Sequence, residues 1–121
     1  MKPNELANLT INDLQEVLDR ELYLFFEELD TARKVDSDHL GRIKAIVFDI
    51  CYKGKGVDRL PKKLLATMYS IARMIQSEIP NFQGEDASQL EQAMSDIDFA
   101  FYLTLSDEVP SDREPGKLRI W

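Results

Sequence analysis

Apolar residues recur along this chain at spacings of three and four, the period of a helix with one buried face. In the first such stretch Leu14, Leu18, Leu22, Phe25, Leu29 and Ala32 fall along one side. The pattern predicts a helix over 11–34, with Thr10 as its cap and Asp13 completing a capping box. A second stripe, Leu40, Ile43, Val47, Ile50 and Cys51, predicts a helix over 38–53 that opens at the cluster Asp36, Ser37 and Asp38. Ile46 and Phe48 widen that stripe, as expected of a central helix covered on several sides. Gly54 is placed to end it in a left-handed conformation.

A third stripe, Leu60, Leu64, Leu65, Met68, Ile71, Ala72, Ile75 and Ile79, predicts a helix over 58–79. Pro61 fits its first turn and Pro80 stops it. The fourth, Leu90, Ala93, Met94, Ile97, Ala100, Phe101 and Leu105, predicts a helix over 88–105 that starts at a Ser88–Glu91 capping box. Four amphipathic helices with short connections predict an all-α fold, an antiparallel four-helix bundle or a related four-helix packing. Leu18, Phe25, Val47, Ile50, Met68, Ile71, Ile97 and Phe101 lie mid-stripe and are the expected core. Residues 1–105 form the helical domain. Residues 106–121 form a polar C-terminal tail, broken by Pro110 and Pro115, that ends on Leu118, Ile120 and Trp121.

Composition excludes several classes. With 121 residues, 44% hydrophobic and 31% charged, the chain has the make-up of one folded domain and not of a disordered segment. A single cysteine, Cys51, rules out an internal disulfide framework and a cysteine zinc cage. The first residues, Met1 to Glu5, lack the apolar core of a secretion signal, and no apolar run approaches the ~20 residues of a membrane span. The expectation is a cytoplasmic protein without a membrane partner.

Charge changes the picture more. The net charge of −7 is uneven: residues 1–35 sum to −4, residues 36–79 to +3 and residues 80–105 to −5. Acidic ends repel phosphates, so nucleic acid is not an expected partner. A basic protein is, because opposite charge accelerates encounter.

Candidate chemistry is sparse. The only histidine, His39, stands in the first turn of the second helix and reads as a solvated residue near a cap. No second histidine or paired nucleophile completes a catalytic constellation, so an enzyme is not expected. Asp36, Asp38 and Gly41 begin a calcium-loop pattern, but Leu40 and Val47 stand where oxygen ligands belong. No Glu-x-x-His motif occurs. No metal and no cofactor are expected.

Glu21 and Glu28 share a border of the first stripe, beside Val17 and Leu24, either as paired carboxylates in a groove or as glutamates reaching water. The second is the commoner arrangement. Lys53, Lys55, Arg59, Lys62 and Lys63 form a basic segment at a helix start, a candidate anion site. It lacks the nucleotide-loop pattern, and a lysine-rich solvated turn is the plainer reading. Phe99 and Leu103 stand outward on the fourth helix near Tyr102, edged by Asp96 and Asp98; such a patch is covered either by the chain's own tail or by a partner.

These features favour a non-enzymatic protein-binding module, a small acidic inhibitor, immunity or antitoxin-like protein that blocks a basic partner. Glu27, Glu28, Asp96 and Asp98 would supply charge, with Phe99, Tyr102 and Leu103 as apolar anchors. Two alternatives stand beside it. One is an adaptor or assembly subunit, a homodimer burying Val17, Leu24, Phe99 and Leu103. The other is a small-anion sensor using Lys53–Lys63. The tail residues Leu118, Ile120 and Trp121 are expected to dock on the outward side of the fourth helix.

Overall fold

Each helix can be followed from its cap. In the computed structural model, which describes residues 9–113, Thr10 Oγ1 accepts the Asp13 amide at 3.1 Å and Asp13 Oδ2 accepts the Thr10 amide at 3.0 Å. This capping box opens α1 (Ile11–Ala32), which ends where Arg33 takes φ 51°. Asp36 Oδ1 accepts the amides of Asp38 and His39 at 3.0 and 3.1 Å and opens α2 (Ser37–Gly54). The left-handed residue after α2 is Gly56 at φ 81°, not Gly54, which is still helical.

The third and fourth helices start away from the expected positions. α3 (Lys62–Glu78) begins after Pro61 instead of at Asp58, because a residue that precedes proline is steered out of helical conformation. A single 3-10 turn, Ile79–Asn81, carries Pro80. α4 (Gly84–Leu105) begins four residues before Ser88, which is an exposed residue of the first turns and not a cap. Gly84 at φ 61° turns the chain out of the 3-10 segment, and Glu85 and Asp86 then face the positive end of the helix dipole.

The fold is all-α, a four-helix bundle. α2 packs on α1 and α4, and α3 packs chiefly on α4 and more lightly on α1. Lys53 near the end of α2 reaches the Leu9 carbonyl before α1, so these two helices run antiparallel. Arg73 pairs with Asp98 and Tyr69 lies against Phe101, so α3 and α4 do as well. Lys44 meets Asp96 and Cys51 meets Glu108, so α2 and α4 run parallel. Successive helices therefore alternate in direction, but residues 55–61 cross the end of the bundle diagonally. α1 and α4 consequently face each other across it.

Leu14, Leu18, Phe25, Leu29, Ile43, Val47, Ile50, Leu64, Met68, Ile71, Ile75, Leu90 and Ile97 are buried together. Seven of the eight expected core residues are among those buried; Phe101 is only partly covered, at the edge where it meets Tyr69.

Residues 106–113 stay on the bundle. Asp107 Oδ1 accepts the Gly56 amide at 2.7 Å, and the Glu108 amide donates to the Leu103 carbonyl at 2.8 Å. Cys51 Sγ donates to the Glu108 carbonyl at 3.1 Å, and Lys55 pairs with Asp112 at 2.5 Å. Arg113 in the last 3-10 turn (Pro110–Arg113) clasps Glu108 at 2.8 and 2.7 Å and lies over the Tyr102 ring. Residues 106–113 are thus a strap and not a loose start of the tail. The expected docking of Leu118, Ile120 and Trp121 falls outside the described residues.

Candidate functional site between α1 and α2

His39 sits where the inward stripe of α2, extended back by one turn from Ile43, meets α1. It is 5% exposed, against the expectation of a solvated residue, and its ring stands edge-on to Phe25 with centroids 5.7 Å apart. Nε2 lies 2.5 Å from a Glu21 carboxylate oxygen, a close polar contact without the alignment of a hydrogen bond. Arg42, one turn further along α2, brings its guanidinium to 3.7 Å from the same oxygen. The Glu21 carboxylate is therefore bracketed by two residues of α2.

Glu28 follows Glu21 by two turns on the same edge of α1, as the helical period requires. Its Oε1 is buried without a hydrogen-bond partner among the described residues. Together with Leu24, Glu27, Thr31, Asp36, His39 and Arg42 it lines an open groove of about 480 Å³. The amides of His39 and Asp38, held by Asp36 at the start of α2, keep its carboxyl below the usual carboxylate range, with Lys34 and His39 adding to the effect. The groove thus holds three acids, Glu28 with one oxygen buried, Asp36 half-buried and Glu27 exposed, with Arg42 as its cation. A histidine beside a carboxylate can pass a proton, but the one hydroxyl lining the groove, Thr31 Oγ1, donates to the Glu27 carbonyl at 2.8 Å. The arrangement is suited to holding a cation. Among the described residues no group of three or more His, Cys, Asp or Glu is disposed to hold a metal ion.

The other sequence candidates separate. Leu103 is fully buried, which overturns its assignment to an outward patch: it lies on the α2 side of α4, and the strap bonds to its carbonyl. Phe99 and Tyr102 do face outward, 40% and 49% exposed, although Arg113 stacks on Tyr102. Asp96 is engaged by Lys44 at 3.4 Å and by Gln92 at 2.9 Å, on the α2 side. Asp98 is engaged by Arg73 at 2.5 Å, on the α3 side. Glu27 and Glu28 lie across the bundle from all of these, so the acids and aromatics grouped by sequence do not form one surface. Phe99, on α4, does not share a face with Val17 and Leu24 of α1, although the sequence assigns all three to one protomer interface with Leu103.

The basic segment is largely answered by the protein's own acids. Lys53 pairs with Asp49 at 2.9 Å and donates to the Leu9 carbonyl, and Lys55 pairs with Asp112. The Asp112 carboxylate beside Lys55 raises its pKa. Lys63 lies 3.9 Å from Asp19; Arg59 and Lys62 stand exposed.

No protein-family model, curated protein or solved structure matches the chain. No helix is long and apolar enough to cross a membrane, among the described residues.

The sequence placed Glu21 and Glu28 beside a candidate groove but missed His39, Arg42 and Asp36 as its other wall. The signal was present, since His39 precedes Ile43 by four residues and Ile50 by eleven, on the buried period.

Proposed function

We propose that this chain is a non-enzymatic protein-binding module of the inhibitor, immunity or antitoxin-like kind, which blocks a basic protein partner in the cytoplasm. The observation that carries this reading is the charge on α1. Between Ile11 and Ala32 the helix holds seven acids and a single base, Arg20. Asp19 and Glu21 face cations of the bundle. Glu16, Glu27 and Asp30 are exposed, and no ion pair engages them among the described residues.

Charge of one sign on a rigid helix raises the encounter rate with a cationic surface and disfavours acidic partners. The partner face moves accordingly from α4, where Asp96 and Asp98 are already neutralised by neighbours, to α1 and its groove with α2. Glu27 and Glu28 remain in it; Phe99 and Tyr102 belong to another side.

Affinity capture from the native host tests the reading. The wild-type chain should retain a basic protein, identified by mass spectrometry, and a Glu16→Gln, Glu27→Gln, Asp30→Asn variant should lose it. Retention of a neutral or acidic protein by both chains alike counts against the proposal.

A further inference from the structure

The groove between α1 and α2 specifies more than a positive charge. We infer that it receives an arginine side chain presented by the basic partner, an inference that rests on the binding reading above. Three acids line the groove with acceptor capacity left among the described residues. Glu28 Oε1 is buried and unpartnered, and burying a carboxylate oxygen without a donor is unfavourable unless a donor arrives. Glu27 is exposed, and no ion pair engages it among the described residues. Asp36 uses Oδ1 for both of its amide bonds, and no hydrogen bond reaches its Oδ2 among the described residues.

These acceptors come from two helices and differ in exposure. A guanidinium suits such a set better than an ammonium, because its five N–H donors lie in a fixed planar fork and it sheds water more readily. Leu24, half exposed on the α1 wall, offers an apolar surface for the methylene stem. Arg42 does not fill this role itself: its guanidinium lies against Glu21, and Glu28 Oε1 has no hydrogen-bond partner among the described residues. His39, buried against Glu21, lines the groove beside these acids.

The test is a titration of the intact chain with tri-arginine, tri-lysine and tri-citrulline peptides, followed by backbone amide shifts in NMR. Tri-arginine should move the amides of Glu27, Glu28, His39 and Arg42 and bind more tightly than tri-lysine, with tri-citrulline silent. Glu28→Gln should weaken tri-arginine binding about tenfold, the size of one lost charge-assisted hydrogen bond. Glu27→Gln, at an exposed position that cannot disturb folding, should weaken it in the same direction. Asp30→Asn removes the same charge from the same helix outside the groove and should change affinity less than twofold. Equal losses in Glu28→Gln and Asp30→Asn, or tri-lysine binding as well as tri-arginine, would overturn the arginine site and leave diffuse attraction by α1 standing. Shifts confined to other faces would overturn it too. Failure of the binding reading is a separate result, the retention of no basic protein from the host.

Discussion

Arg33 is the residue whose conformation is least favoured by its side chain. It ends α1 at φ 51°, a region that costs an L-residue about 1–2 kcal/mol and that glycine enters freely. Arg33→Gly should be neutral to stabilising by up to about 1 kcal/mol in chemical denaturation, despite the added freedom of the unfolded chain. Asp107 has a similar φ of 57° but carries the bond to the Gly56 amide, so Asp107→Gly should not share the benefit. In the core, Leu18 and Ile71 are buried as their mid-stripe positions require, and truncating either to alanine should cost roughly 2–5 kcal/mol. A loss below about 1 kcal/mol for either would mean that its surroundings collapse into the cavity.

At the scale of elements, the helix starts give the protein a defined acid limb. The Thr10 amide and hydroxyl hold the Asp13 carboxyl below its ordinary range, and the His39 and Asp38 amides do the same for Asp36. A folded-state pKa below the unfolded value means that the stabilisation is complete above the unfolded value, near pH 4, and is lost as pH falls through the folded one. Thermal unfolding of wild type should therefore move to lower temperature below about pH 4. Asp36→Asn, which still caps, should flatten part of that fall, and Asp36→Ala should cost about 1 kcal/mol at neutral pH. The strap makes a second prediction. Burial pushes the Cys51 thiol up, and its S–H is spent on the Glu108 carbonyl. Modification of Cys51 by a thiol reagent should be slow in the native protein and should accelerate in Asp107→Ala or Asp112→Asn, which release the strap. Unchanged labelling rates in both would mean that Cys51 is shielded by the helices alone.

For the whole molecule, the consequence of uneven charge is kinetic. If α1 steers the partner, association should slow as salt rises, because the screening length contracts to about 8 Å at 0.15 M. Dissociation should change much less, since short-range contacts govern it more than long-range charge does. Reversing Asp96 and Asp98 together should have a smaller effect on association than neutralising Glu16, Glu27 and Asp30, because Lys44 and Arg73 already offset the first pair. The opposite ranking in stopped-flow kinetics would return the partner face to α4.

The sequence by itself determined the all-α class, the number of long helices, the cap at Thr10, the acidic cluster that opens α2 and nearly all of the core. These are local properties: a helix's buried face and its first unsatisfied amides are set by residues within a few turns. Local signals also misled where two competed, as at Ser88, a plausible cap overridden because Gly84 allowed the helix to start earlier. Only the tertiary structure decided which helices are neighbours. That depended on the path of residues 55–61 across the bundle's end, and no periodicity encodes it. The crossing puts α1 and α4 on opposite sides, which divides the acids that sequence had grouped. Pairing α1 with α2 likewise turns His39 from a cap residue into a buried neighbour of Glu21 and leaves Glu28 Oε1 buried without a hydrogen-bond partner among the described residues. Cys51 and residues 106–113, far apart in the chain, meet for the same reason: a bond between them exists only after the helices have packed.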